Sequence, residues 1–168
     1  MVGILVFEKE GKIIEDFLEN IERDSYKKNT KWNKSRHEFR KAYIENLFKA
    51  DIFQEKIFFE IFGDTKKYIE LTSFATAKAI LKKTKKFEYK ATVFVDGFRK
   101  KEIEIFSRGL RDLRIKTRKI RGVKKDENNA FIRLVDAICG LVRDAEADSA
   151  WAKASLAKLK KARIVSEI

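Results

Sequence analysis

The sequence predicts an α/β domain, a mixed sheet flanked by helices. Short apolar runs at 2–8, 57–63 and 88–95 alternate with longer segments whose apolar residues recur at helical spacing, the pattern of strands covered by helices. There is no proline and there are only seven glycines, so no Pro-rich linker divides the chain. Its 168 residues, 44% of them hydrophobic and fourteen of them Phe, suffice for one ordinary core.

Taken in order, MVGILVF reads as a buried strand over 2–8. Ile13, Ile14, Phe17, Leu18 and Ile21 mark a helix over 13–24, and 25–34 is polar and loop-like. Ser35 and Glu38 have capping-box spacing ahead of Phe39, Tyr43, Ile44, Leu47 and Phe48, which predicts a helix over 35–50. IFFEIFG at 57–63 is a strand closed by Gly63, 66–85 is helical, 88–95 is a strand ending at Asp96, and 99–112 is a basic helix. RIKTRKIRG at 114–122 alternates Ile115, Thr117 and Ile120 with Arg and Lys, an edge strand with one basic face whose alternation slips once. A long helix over 127–146 and an Ala-, Lys- and Leu-rich helix over 149–163 complete the chain.

Thirty-nine Lys and Arg against twenty-six Asp and Glu leave a formal charge of +13, which suits a polyanionic partner. Nucleic acid leads as that partner, ahead of an anionic membrane surface or mere solubility. The single Cys139 excludes an intrachain disulfide and a Cys-based zinc site, so the cytoplasm is the expected compartment. Residues 1–7 are too short for a signal peptide or a membrane span, and the last helix has too thin an apolar stripe to favour a membrane.

Two acids stand out. In VFVDG, at 93–97, Asp96 follows three apolar residues and precedes a glycine, so it is either a carboxylate held at the end of a buried strand for chemistry or only the first residue of a turn. In NAFIRLVDAICGLVR, at 129–143, Phe131, Leu134, Val135, Ile138, Leu141 and Val142 fall on one broad helix face. Asn129, Arg133, Asp136, Gly140 and Arg143 stack in a narrow stripe on the other side. A carboxylate amid such apolar residues faces water, an ion or a partner group. Gly140 costs about 1 kcal/mol against Ala inside a helix, which marks a close approach to that stripe.

ENNAFIRLVDAICGLVRDA resembles the C-terminal signature of the bacterial domain-of-unknown-function family 3800. VFVDG resembles that family's inner strand ending in Asp, and KWNKSRHEFRKAYIENL its first helical region. The resemblance implies a ribonuclease H-like domain over 1–146, followed by a basic helical extension over 147–168. It implies a metal-dependent nuclease in which Asp96 and Asp136 ligate Mg²⁺ or Mn²⁺, hard cations that prefer oxygen. Asn129 would be a catalytic ligand or orienter of the ligands, and Asp126 an extra acid. Members of that family begin with an Asp-Glu-Ser-Gly-like strand, whereas MVGILVFEK resembles their second strand. The expectation is therefore a sheet lacking its usual first strand: a truncated chain, a start assigned too late, or a degenerate relative without activity. Glu8 is the one nearby acid that could substitute. The alternative function is a non-catalytic module of the same fold that binds nucleic acid or a partner protein.

Phosphate-backbone contacts are expected from Arg99, Lys100, Arg118, Arg121, Lys124, Lys125 and Arg133, with Lys101 and Lys119 beside them. Trp32 and Tyr26 either stack on bases or pack inward. His37 reads as a surface residue and Cys139 as a buried thiol. No Walker or GxGxxG loop occurs.

Overall fold

The computed structural model describes residues 1–63, 66–84, 88–123 and 129–168. Its elements are β1 (Val2–Leu5), α1 (Gly11–Asp24), α2 (His37–Phe48), β2 (Ile57–Glu60), α3 (Tyr68–Lys83), β3 (Ala91–Asp96), α4 (Lys100–Asp112), β4 (Thr117–Val123), α5 (Ala130–Glu146), α6 (Ala150–Lys161) and β5 (Val165–Glu167). The α/β class is as expected, and the described strands divide between two sheets. In one, β2 is central, antiparallel to β1 and parallel to β5. In the other, β3 and β4 run parallel.

The apolar run IFF is buried along its whole length because both of its faces are covered. Ile57 and Phe59 point into a core built with α1, α2, α5 and α6. Phe58 and Ile4 point the other way, toward Ala75 and Ala79 of α3. Around the second sheet Val95, Phe106, Leu110 and Ile115 form a separate cluster with Ile69 and Ile80 of α3. Each fully buried large side chain, such as Phe53 or Leu134, contributes about 1.5–3 kcal/mol by leaving water.

Several local expectations change. The capping box at Ser35 does not form: Arg36 occupies the N-cap without a side-chain bond, and the buried Ser35 hydroxyl has no partner among the described residues. At α4 only the return half of such a box forms: the Glu102 carboxylate accepts from the Arg99 N–H at 2.6 Å, while the Arg99 guanidinium, a donor only, cannot cap the helix. Residues 147–168 are no appendage. Ala152, Leu159, Ile164 and Val165 belong to the main core, and β5, which the sequence pattern did not suggest, pairs with β2. Among the described residues no helix is long and apolar enough to cross a membrane.

Candidate functional site

Most of the polar stripe of α5 is covered: Arg133 and Gly140 are buried, Asn129 and Asp136 half-buried, and Arg143 is exposed. Segment 25–35 lies across it, and Trp32 is 1% exposed. A Cβ added to Gly140 would fall within the Trp32 indole, so this glycine admits the ring. The Asp136 carboxylate accepts the backbone N–H of Trp32 at 3.0 Å, and Asp144 accepts the indole N–H at 2.8 Å. Arg40 reaches Asp144 at 3.3 Å and lies over the indole at 5.4 Å, while Trp151 stacks on it at 6.3 Å. Of the options left open for Asp136, the structure supplies a protein partner.

Deeper along the stripe, Arg133 is 7% exposed and donates through Nε and Nη2 to the two oxygens of Glu22 at 2.7 and 2.6 Å. Burial works against its charge, and the Glu22 carboxylate outweighs it, holding the guanidinium pKa above the ordinary value. Committed to Glu22, Arg133 leaves the set of exposed phosphate contacts. Beside this pair, Lys27 is also buried, donating to the Thr30 carbonyl at 2.8 Å and lying over the Tyr43 ring at 5.0 Å. Desolvation pushes its pKa down, against the pull of Glu22 and Asp136. Tyr26 and Lys28 flank it in left-handed backbone, φ 57° and 51°, conformations that persist only where the surroundings fix them. The cleft beside this network, about 1140 Å³, is of mixed charge: Glu15 and Glu19 face Lys28, Lys31 and Lys34.

Asn129 is the N-cap of α5, its Oδ1 accepting the Ile132 N–H at 3.0 Å. Asp96 is the exposed last residue of β3, and Gly97 turns the chain away with φ +76°. Among the described residues no group of three or more His, Cys, Asp or Glu side chains could hold a metal ion. Glu8 is exposed just beyond β1. Lys124, Lys125 and Asp126 lie outside the described residues. Trp32 packs inward, Tyr26 is exposed, and His37 sits at the surface against Trp151.

The basic surface lies on α4 and β4. Residues of β4 are exposed except for Ile120 and Val123, which are half-buried, so Arg118, Lys119 and Arg121 all reach solvent. The register explains the slip in the sequence alternation: Ala91 pairs with Thr117 but Thr92 with Lys119, a β-bulge that leaves Arg118 extra. Between β4 and the second half of α4 runs a cleft of about 450 Å³ lined by Ser107, Arg111, Thr117, Arg118 and Lys119 over Ile115 and Ile120. Arg99 and Lys100 are exposed at the opposite, N-terminal end of α4. Ser107, Arg111 and Thr117 were missed by sequence reasoning, which counted charges within segments and had no pairing to bring α4 beside β4. In comparisons with family models, curated proteins and solved structures, nothing matches this chain.

Proposed function

We propose that this chain binds nucleic acid through its phosphate backbone, along β4 and the adjoining face of α4. The observation that carries this reading is the cleft between them, which Arg111, Arg118 and Lys119 line with no acidic residue among the described ones, in a protein whose formal charge is +13. Two hydroxyls, Ser107 and Thr117, stand ready to bond phosphate oxygens. Such contacts position a polyanion by releasing its counterions and read little sequence.

The finer structural proposal is a ribonuclease H-like arrangement. It is supported by the mixed strand directions and by α5, which packs against both β1 and β3 while carrying Asp136. A second functional reading, divalent-metal-dependent cleavage at Asp96, is favoured by the exposure of that acid at the end of β3, on the sheet that bears the basic surface. Asp136 already holds Trp32, so no catalytic step is derived through a metal.

The test is fluorescence anisotropy with labelled DNA and RNA oligonucleotides across a salt series, for the wild type and for Arg111→Ala, Arg118→Ala and Lys119→Ala. Binding should weaken steeply with salt, and each substitution should lower the log–log slope by about 1. Salt-independent binding, or no binding at low salt, overturns the reading. Incubation of the same oligonucleotides with Mn²⁺, read by product formation and compared with Asp96→Asn, decides the cleavage reading.

A further inference from the structure

Resting on the nucleic-acid reading above, we infer that the outer face of the β3–β4 sheet is a stacking platform for single-stranded nucleic acid, with Phe94 as its base-contacting ring. The inference starts from register. Val93 pairs with Ile120 and Val95 with Gly122, and these residues face α4, where a Cβ on Gly122 would meet the Ile103 side chain at 2.7 Å. Paired residues of a parallel ladder share a face. The outer face therefore carries the pairs Thr92–Lys119, Phe94–Arg121 and Asp96–Val123.

On that face Phe94 is 37% exposed, and the Arg121 guanidinium lies over its ring at 5.9 Å. Among the described residues the other exposed aromatic rings lie on helices or loops: Tyr68 is bonded to Glu102, and Phe74 lies beneath Lys78. Phe94 is the exposed ring set in a strand, with Arg121 directly across from it and Lys119 one outward-facing pair along.

A flat apolar ring flanked by cations is what an unpaired base and its phosphates require: the ring takes the π-face of the base, and the cations take the backbone. Arg121 serves either group, since a guanidinium plane stacks as well as pairs. A duplex keeps its base faces stacked internally and offers this ring nothing but its ends. Charge complementarity suits any nucleic-acid backbone, and the aromatic ring favours a single strand over a duplex at this face.

The experiment measures anisotropy of a fluorescein-labelled oligothymidylate of about twelve nucleotides, a length within the range such single-strand sites cover, and of a duplex of the same length. The proteins are wild type, Phe94→Ala, Phe94→Leu, Phe94→Trp and the double variant Arg118→Ala/Lys119→Ala. The inference expects both ring-removing variants to weaken single-strand binding by roughly five-fold or more. Duplex binding should be unchanged, and Phe94→Trp should retain single-strand affinity. Phe94→Leu keeps the apolar bulk, so a loss shared with Phe94→Ala reports the aromatic face, and circular dichroism confirms that each variant is folded. Unchanged single-strand binding in both variants, while the double variant weakens both probes, overturns the platform and leaves phosphate-backbone binding standing. If the wild type binds neither probe at low salt, both readings fall together.

Discussion

The indole of Trp32 occupies the space in which a side chain at Gly140 would stand. A glycine that weakens a helix by its backbone freedom is retained here because it lets a second segment lie against the helix backbone. Gly140→Ala gains about 1 kcal/mol of helix propensity and loses about 1–3 kcal/mol to overpacking. It also displaces a ring whose bonds to Asp144 and, through the backbone, to Asp136 are already made. The expected outcome is a lower urea midpoint with an unchanged slope. A raised midpoint would mean that segment 25–35 does not lie on α5.

The Glu22–Arg133 pair should behave as a unit. Removing either partner, in Glu22→Gln or Arg133→Met, leaves a buried group without its counterpart and is expected to cost about 3–5 kcal/mol. The Glu22→Gln/Arg133→Met protein should lose less than the sum of its single changes, measured as a double-mutant cycle by chemical denaturation. Additive losses would show that the two side chains do not meet.

Asp136→Ala removes the acceptor of the Trp32 N–H, whereas Asp136→Asn keeps a carbonyl oxygen there. In protein stripped of divalent ions, the alanine variant should lose about 1–3 kcal/mol for the orphaned amide. Hydrogen exchange at Trp32 should also speed up, and the asparagine variant should fall between it and the wild type. Equal exchange in all three proteins would remove Asp136 from this structural role.

Burial pushes the Cys139 thiol up to about 11, with the Asp136 charge adding to it. Because the folded value lies above the unfolded one, near 9, the thiol contributes stability below that lower pH and loses it as pH rises toward the upper. Tyr43 is raised as well, chiefly by burial, so alkaline destabilisation is expected in any variant that keeps it. The part due to Cys139 is the difference between wild type and Cys139→Ala across pH 9–11, with the wild type falling further. Iodoacetamide should modify the native thiol at pH 8 far more slowly than the urea-unfolded thiol.

For oligonucleotide binding, Arg118 and Arg133 should differ although both are arginines of basic-looking segments. Arg118→Ala should lower the salt slope, while a folded Arg133→Gln should leave it unchanged, since Arg133 is enclosed by Glu22. The comparison is one titration series at several salt concentrations.

Much of the element order was legible because it rests on spacing within a segment. The helix over 13–24 is found as Gly11–Asp24, and the basic helix over 99–112 as Lys100–Asp112. Even the slip in the 114–122 alternation had a physical cause, the bulge beside Arg118. What escaped is what depends on a distant partner. The count that assigned Arg133 and Asp136 to one stripe could not say that segment 25–35 would cover it, and Glu22 and Lys27 carry no local mark of their burial. Strand β5 is three residues long, too short for a periodic signal, and is created by the exposed edge of β2. Phe94 was within reach: the alternation that sets Asp96 on one face of β3 sets Phe94 on the same face.

The bonds that fasten segment 25–35 join residues 104 and 112 positions apart, and the Glu22–Arg133 bond spans 111. During synthesis, α1, α2 and Trp32 leave the ribosome long before Asp136, Gly140 and Asp144 exist. The nascent chain therefore carries Glu22 without its Arg133 partner and an uncovered indole until α5 has been made. Its consolidation is governed by the closure of long loops. Over that interval these same residues form a sticky surface on which chaperone occupancy should concentrate.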